Sequence, residues 1–270
     1  MRIRKLLRVR FVVYSFTEQE KIMAELTPMM QKYMETKEQY KDCILFYRLG
    51  DFYEMFFDDA LVASKELEIT LTGKSCGLEE RAPMCGIPYH AVEGYLSKLV
   101  SRGYKVAICE QVEDPKLAKG LVKREVIRVV TPGTNLNVQS LEAGKNNYLL
   151  SIAYTPDGIG ISAADVTTGD YYVTEVEDLK KLNDELMKYE PSEIICNEAF
   201  LVSGFDVNDL KSRLHISVNA LESHMFDDDG CRRILMKHFR VNTLIGLGVE
   251  EFPTGLLAAG ALLQYLYDTQ

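Results

Sequence analysis

The chain has 270 residues, of which 47% are hydrophobic and 26% are charged, so it can form the cores of about two domains of ordinary size. The formal charge of −9 is uneven: residues 1–22 carry a net +4, residues 23–140 a net −2 and residues 141–270 a net −11. The last segment should repel a polyanion and suits a protein partner, whereas nucleic-acid binding in the middle segment requires local basic patches. No apolar run approaches the roughly 20 residues of a membrane-spanning helix, so no membrane association is predicted.

Residues 1–22, "MRIRKLLRVRFVVYSFTEQEKI", have a basic start followed by a short apolar run. The run is too short for a secretory signal and no small-residue cleavage site follows it. We therefore expect Met23 to be the natural start, and the preceding residues to be a disordered leader that arose upstream. N-terminal mass spectrometry of the native protein tests this expectation. Shortly afterwards, Thr27 and Pro28 form a typical helix start, with a hydroxyl at the N-cap and proline at the first helical position.

Strands and helices alternate through the next hundred residues, which predicts a mixed α/β domain. A helix with its N-cap at Asp51 is predicted from Phe52 to about Leu67. A second helix, with apolar residues from Val92 to Val100 at helical spacing, is expected to end at Gly103. The predicted strands are residues 43–49, 67–73, 105–112 and 125–133.

Residues 131–147, "TPGTNLNVQSLEAGKNN", have little periodicity and are rich in Gly, Asn and Thr, so the domain boundary is placed there. We predict a first domain over residues 23–135, a linker over 136–147 and a second domain over 148–270. In the second domain we expect three strands over residues 148–176, a helix over 179–190, a short strand over 193–198 and an apolar helix over 254–270. The last helix lacks a C-terminal cap, and we expect that the chain continues beyond it in the natural protein.

The six cysteines form no C-x-x-C pair, and no histidine lies near them at a metal-site spacing. They are expected to be buried, reduced thiols of a cytosolic protein, and no metal site is predicted.

The stretch "RLGDFYEMF", residues 48–56, contains more large apolar side chains than one helix face can bury. With about 100° per helical residue, Tyr53, Phe56 and Phe57 fall on the core stripe, while Phe52 and Glu54 lie off it. One interpretation is that Phe52 packs on a neighbouring loop and Glu54 is a solvated acid favoured by the helix dipole. The other is an exposed aromatic wedge with a hydrogen-bonding carboxylate beside it.

The segments "LTPMMQKYMETKEQYKDCILFYRLGDFYEMFFDDA" and "APMCGIPYHAVEGYLSKLVSRGYKVAICEQVEDPKLAKGLVKREVIRVVTPGT" resemble the N-terminal part of the bacterial MutS mismatch-repair family. The resemblance covers essentially all of residues 24–135, and residues 145–268 resemble the family's connector domain through weaker motifs. It implies an α/β fold in which a mixed α/β mismatch-recognition domain is followed by an RNase H-like α/β connector. Residues 1–22 have no counterpart in the family.

The resemblance also implies a mechanism centred on "GDFYE", which comprises Gly50, Asp51, Phe52, Tyr53 and Glu54. Phe52 would enter the minor groove of mismatched double-stranded DNA and stack on the mispaired base, and Glu54 would hydrogen-bond the edge of that base. Phosphate contacts are expected from the basic run of residues 116–128. The alternative interpretation of this run is a solvated charged face that does not bind DNA. The candidate phosphate contacts are Lys74, Lys119, Lys123, Arg124 and Arg128.

The 270 residues contain no G-x-x-x-x-G-K-[ST] phosphate loop, so no cofactor and no catalytic residue are expected in this chain. By resemblance, the full-length protein would be a homodimeric, ATP- and Mg²⁺-dependent clamp on DNA in the bacterial cytoplasm, associated with the nucleoid. The acidic connector would act as an interaction module for a MutL-type partner. The remaining alternative is a metal-dependent nuclease of the RNase H type, which would use clustered acids. The acids available for it are Asp165, Asp170, Asp227, Asp228 and Asp229.

Overall fold

The computed structural model describes residue 23 and residues 25–113, 120–136 and 146–270. The predicted leader, Lys119 and most of the predicted linker lie outside the described residues. Within the described part of the chain, no helix has the length and apolar character needed to cross a membrane.

A six-stranded mixed sheet organises the first half of the chain, in the order β3-β4-β2-β1-β5-β6. The central strands β1 and β5 are parallel, and the other neighbours are antiparallel. The mixed α/β fold predicted for this half is therefore confirmed. The strands β1 to β6 are Cys43–Leu49, Phe52–Phe56, Thr72–Lys74, Ala82–Pro88, Lys105–Gln111 and Arg124–Val130.

Helices cover both faces of this sheet, as the alternation of buried side chains along its strands requires. Helix α1 (Pro28–Gln39) packs through Met30 and Tyr33 on the face that carries Leu45 and Phe56. Helices α2 (Phe57–Leu67) and α3 (Val92–Val100) pack on the opposite face. Helix α1 begins at Pro28 and α3 at Val92, as predicted, but the Thr27 side chain makes no cap hydrogen bond. Gly103 has a positive φ of 86° just after α3.

The helix predicted from Phe52 is wrong over its first turn and a half. Residues Phe52–Phe56 form strand β2, which pairs with β1 on one side and with β4 on the other. Asp51 therefore lies in a turn between two strands and caps no helix. The helical stripe was misleading because aromatic residues also favour strands, and two flanking strands satisfy the backbone of β2 in a way that no local pattern reveals.

Two further predictions for this half need correction. The segment 67–73 was predicted as a strand, but α2 extends to Leu67 and ends on Glu68 in the left-handed conformation, with φ 58°. Only Thr72–Lys74 pairs as a strand. Strand β4 was not predicted, because Pro83 and Gly86 interrupt the apolar pattern of "APMCGIP".

A buried carboxylate joins three elements of the first half. Asp59 on α2 is 7% exposed and accepts hydrogen bonds from Leu45 N (3.0 Å), Lys37 Nζ (2.9 Å) and Tyr33 Oη (3.2 Å). Burial raises the pKa of this carboxyl, although its partners act in the opposite direction. Asp59 thus connects α1, β1 and α2 through one side chain.

The second half contains a five-stranded sheet in the order β11-β10-β7-β8-β9. The three consecutive strands predicted over residues 148–176 are present and antiparallel, and β10 runs parallel to both of its neighbours. Strand β11 was not predicted. The strands β7 to β11 are Tyr148–Thr155, Gly158–Asp165, Asp170–Val176, Glu193–Asn197 and Ser217–Leu221.

Helix α4 (Leu179–Tyr189) covers one face of this second sheet, and the apolar helix α8 (Pro253–Thr269) covers the other. Both helices were predicted. Gly160 on β8 permits a close approach, because a Cβ there would lie only 2.0 Å from the carbonyl oxygen of Thr254. The helices that the pattern did not predict are α5 (Glu198–Leu201), α6 (Val207–Ser212) and α7 (Asp228–Phe239).

Glu193 links the segment after β6 to the second sheet. Its carboxylate is fully buried and accepts from the backbone N–H of Gly133 (3.0 Å), from Asn219 Nδ2 (3.0 Å) and from Tyr265 Oη (2.8 Å). Burial is also the largest cause of the raised pKa of the Tyr265 hydroxyl. The placement of the domain boundary over residues 131–147 stays a prediction.

All six cysteines are buried and unpaired, as the sequence predicted. Burial raises the pKa of five of the thiols to about 12. Thiols in this environment act as small apolar groups within the cores.

Candidate nucleic-acid interface

A tight hairpin carries the candidate wedge. Leu49 on β1 pairs with Phe52 on β2, so only Gly50 and Asp51 form the loop. Gly50 has φ +60°, the value that the first loop residue of a type II′ turn requires, and no atom lies within 4 Å of where its Cβ would be. Glycine is therefore needed here for its backbone conformation and not to avoid a steric clash, because the space where a Cβ would lie is open.

Alternation along β2 determines which side chains face outward. Tyr53 and Met55 point into the core with 4% and 0% exposure, whereas Phe52 is 46% exposed at the start of the strand. The sequence predicted that Phe52 would be outside and Tyr53 and Phe56 inside, and each side chain has that burial, although the cause is a strand and not a helix. Phe57 is only half-buried and adopts φ 52°, an uncommon backbone conformation for a bulky residue, at the junction with α2.

Glu54 lies two residues after Phe52 and hence on the same face of β2. Its Oε2 accepts from Lys74 Nζ at 2.5 Å, and both side chains are partly buried, at 15% for Glu54 and 35% for Lys74. Gly86 is its neighbour on β4, and a Cβ there would lie 3.5 Å from Glu54 Cγ. The Glu54 carboxylate therefore lies beside Phe52, is paired with the ammonium group of Lys74, and has no side chain opposite it on β4.

A polar network below the hairpin was not predicted from the sequence. Arg48 on β1 donates from Nε to the carbonyl of Gly50 at 2.5 Å, and its Nη1 lies 3.3 Å from Glu110 Oε1. The guanidinium stacks over the ring of Tyr89, 3.6 Å from its centroid. The Tyr53 hydroxyl also donates to Glu110, and its pKa is raised by burial first and by Glu110 second. The only sequence signal for this network is the position of Arg48 two residues before Gly50.

The basic candidates do not form one continuous row. Lys123 is exposed and pairs with Glu125 at 2.5 Å, and that hydrogen bond raises its pKa. Arg124 is directed inward: its guanidinium donates to the carbonyls of Arg48 and Val122, both at 2.7 Å. The Nε of Arg128 is buried without a hydrogen-bond partner in the part of the chain that the structure describes. The structure places Lys74 beside Glu54, and Lys119 lies outside the described residues.

Four of the five acids considered for a nuclease site bind neighbouring groups of the chain. Asp165 is 1% exposed and accepts from Thr167 Oγ1 at 2.6 Å and from Asn147 N at 3.0 Å. Asp227 is the N-cap of α7, with Gly230 N at 2.9 Å. Asp170 accepts from Thr168 Oγ1 at 2.8 Å, and Asp228 pairs with Arg232 at 2.8 Å. Among the described residues, no three His, Cys, Asp or Glu side chains group in a way that could hold a metal ion.

Comparison with known proteins gives two family matches that follow one another along the chain. Residues 27–139 match MutS domain I, and residues 147–270 match MutS domain II. Proteins named DNA mismatch repair protein MutS are among the similar curated proteins. Over 92% of this chain, the protein of Lachnoclostridium phytofermentans is 67% identical and that of Ruminiclostridium cellulolyticum is 53% identical. The chain spans about a quarter of their length, 27% and 28% respectively.

Proposed function

The chain belongs to the MutS family, and from this premise we propose that it recognises mismatched or unpaired bases in duplex DNA as part of a longer mismatch-repair protein. The observation that supports the proposal most directly is the half-exposed ring of Phe52 at the start of β2, next to a hairpin turn and on the same face as Glu54. The exposed part of the Phe52 ring can move from water into contact with stacked bases without disturbing the core beneath it.

The proposed specificity comes from how easily the DNA deforms. An apolar wedge inserted from the minor groove unstacks a base step and kinks the duplex, at a cost of about a few kcal/mol per step. A mispaired or unpaired base has already lost part of its pairing and stacking, so insertion of Phe52 costs less there. The protein can therefore find many kinds of error without reading a particular sequence.

Glu54 is proposed to contact the edge of the same base. Ionised, its carboxylate accepts a hydrogen bond from a base N–H; protonated, it donates to a base nitrogen. On intact duplex a carboxylate near phosphates is repulsive, which weakens binding where no base is available. Lys74, bound to Glu54 Oε2 at 2.5 Å, reduces that repulsion and holds the carboxylate in place before DNA arrives.

Phosphate contacts are proposed to come from exposed lysines. Of the predicted candidates that the structure describes, Lys123 is the clearest, because 68% of its side chain is exposed. Each such contact should add about one unit to the slope of log affinity against log salt concentration. Arg124 is a weaker candidate, since its guanidinium is already bound to two backbone carbonyls. Lys119 and Arg128 remain candidates on the sequence alone.

The proposal is tested by titrating the full-length protein and its variants with mismatched and fully paired oligonucleotides. Phe52→Ala should abolish the preference for mismatched duplex. Glu54→Ala should reduce discrimination more than affinity, because fully paired DNA then meets less repulsion. Lys65→Ala, an exchange on α2 away from the hairpin, is the control and should bind like the wild type. An unchanged preference in the Phe52 variant would refute the proposal.

Nucleotide chemistry is proposed to belong to the remainder of the full-length protein. The 270 residues contain no phosphate-loop motif, so we propose that this part binds DNA without catalysis, and that ATP, Mg²⁺ and the main homodimer contacts reside elsewhere. We place the protein in the bacterial cytoplasm, associated with the nucleoid. Incubation of the chain with DNA and Mg²⁺ or Mn²⁺ tests for nuclease activity, and cleavage that Asp165→Asn removes would contradict this part of the proposal.

A second candidate role concerns residues 147–270, for which we propose docking of a MutL-type protein. The charge of residues 141–270, a net −11, disfavours DNA and suits a protein partner. Exposed apolar side chains, Phe239 at 39% and Leu247 at 45%, line a groove of about 310 Å³. Leu247→Glu should weaken partner binding in a pull-down with the purified partner and leave mismatch binding unchanged. Undiminished partner capture by this variant would exclude the groove.

A further inference from the structure

We propose that Arg48 is a positioning residue for mismatch recognition: it fixes the Gly50-Asp51 turn and thereby the direction of the Phe52 ring. This inference rests on the proposed function, because it concerns how the wedge is aimed. Neither the family matches nor the sequence pattern assigns a role to Arg48.

One side chain makes three contacts that converge on the hairpin. Arg48 Nε donates to the carbonyl oxygen of Gly50 at 2.5 Å, within the turn itself. Its Nη1 lies 3.3 Å from Glu110 Oε1 on β5, and its guanidinium carbon Cζ is 3.6 Å from the ring centroid of Tyr89. A planar fork with several donors can satisfy all three contacts together, and a lysine ammonium cannot.

The second carbonyl of the turn is held from the other side. The backbone N–H of Tyr89 donates to the carbonyl oxygen of Asp51 at 3.0 Å, just beyond the pairing of Pro88 with Phe52. Tyr89 therefore anchors Asp51 through its backbone and supports Arg48 through its ring. Both loop carbonyls are fixed, one by Arg48 and one by Tyr89, and the chain that leads into Phe52 has little freedom to tilt.

The backbone of Arg48 is also held in place. The carbonyl of Arg48 accepts from Arg124 Nε at 2.7 Å, and the side chains of Arg48 and Glu110 are only 15% and 25% exposed. An ion pair with this degree of burial is less screened than a surface pair and holds its geometry better. Since the guanidinium is committed to contacts within the protein, its role is to orient the wedge and not to bind phosphate.

The contacts of Arg48 should affect the binding of mismatched DNA more than that of fully paired DNA. Phe52 must enter a gap between bases, where a displacement of the turn changes the fit of the ring, whereas contacts with phosphates elsewhere do not depend on that angle. Loss of the Arg48 contacts should therefore reduce binding to mismatched DNA and leave binding to fully paired DNA nearly unchanged.

The test measures both affinities of the full-length protein by fluorescence anisotropy over a series of salt concentrations. Arg48→Lys should lower the ratio of mismatched to paired affinity by about tenfold, with the slope against salt unchanged. Tyr89→Leu removes the stacking ring but keeps the backbone contact, and should lower the ratio by a smaller factor. The control is Arg102→Lys, which alters a more exposed arginine–glutamate pair, with Glu66 at 2.6 Å, away from the hairpin.

Three outcomes would overturn either the positioning role of Arg48 or the proposed function. A wild-type ratio in Arg48→Lys, with Phe52→Ala losing the preference in the same experiment, overturns the positioning role and leaves the proposed function intact. Equal loss on both DNAs, with the salt slope reduced by about one unit, makes Arg48 a phosphate contact and also overturns it. If Phe52→Ala keeps its preference, the proposed function itself fails. Thermal unfolding of each variant identifies any loss that arises from misfolding, and Tyr89→Leu, whose ring is 42% exposed, gives a second measurement in that event.

Discussion

The two phenylalanines of β2 allow the wedge to be separated from the core by one pair of substitutions. Phe52 is 46% exposed and Phe56 is 1% exposed, at opposite ends of the same strand. A phenylalanine side chain buries roughly 150–250 Å² when it is fully covered, so Phe52 keeps about 70–115 Å² available to a base. At about 25 cal/mol per Å², covering that area contributes about 2–3 kcal/mol, or about 30- to 150-fold in affinity.

The same areas predict a different ranking for stability. Phe56→Ala should destabilise the fold by about 3–5 kcal/mol, since it removes a fully buried ring that packs edge-on against Tyr33 at 4.9 Å. Phe52→Ala should cost about 2 kcal/mol or less, because half of the ring is already in water. The Phe56 variant that remains folded should still prefer mismatched DNA, because Phe52 is unchanged.

Urea denaturation gives the free energy of unfolding of each variant, and anisotropy titrations at fixed salt give the two affinities. The expected result is a crossed pattern, in which Phe52→Ala loses preference with little loss of stability and Phe56→Ala does the reverse. If Phe52→Ala destabilises the protein as much as Phe56→Ala does, Phe52 is a core residue and not the wedge. A loss of mismatch affinity below about threefold in Phe52→Ala would likewise exclude Phe52 as the wedge.

The other predictions concern the buried groups. Burial raises the pKa of the Asp59 carboxyl above its ordinary 3.8, so the folded state binds a proton at Asp59 more tightly than the unfolded state does. The stability that Asp59 contributes is therefore present at low pH and falls as pH rises from 3.8 through the raised pKa. Asp59→Asn should flatten the curve of unfolding free energy against pH over that range. Lys37→Met should raise the pKa of Asp59 further in an NMR titration, and an unchanged value would contradict the pairing. Gly160→Ala should destabilise the second half by about 1–3 kcal/mol or more, because its Cβ would meet the Thr254 carbonyl, whereas Gly94→Ala, with open space around it, should be neutral or slightly stabilising. Thiols whose pKa is about 12 should not react with a disulfide reagent at pH 8 until the chain is unfolded, and early reaction would show that they are accessible; these are Cys43, Cys85, Cys109, Cys196 and Cys231.

Much of the second half could be predicted because its periodicity is unambiguous. The residues of β7 and β8 form apolar runs separated by Pro156 and Asp157, and α8 is apolar for most of its 17 residues. Among the elements that the pattern missed in this half, α7 has 12 residues, but α5, α6 and β11 are short, with four to six residues each. Elements of that length have almost no periodicity of their own and are stabilised by the surfaces on which they pack.

Less of the candidate site than of the second half could be predicted from the sequence. The sequence identified Phe52 and Glu54 through the GDFYE motif and predicted that both project outward, but it assigned them to a helix. It did not predict that Lys74 would bind Glu54, because 20 residues separate them, nor that Arg48 and Glu110 would meet, because 62 residues separate them. Such contacts depend on which strands become neighbours, and strand order is a property of the whole sheet.

The sequence by itself determined the family, the α/β class, the buried thiols and the identity of the exposed aromatic residue, since these follow from composition, motif and local periodicity. Only the tertiary structure decided that Phe52–Phe56 is a strand, because the choice between helix and strand for five mixed aromatic and acidic residues depends on hydrogen bonds offered by β1 and β4. The tertiary structure also decided what surrounds the wedge. A side chain such as Arg48 can fix a turn only when a sheet has brought Glu110 and Tyr89 to it.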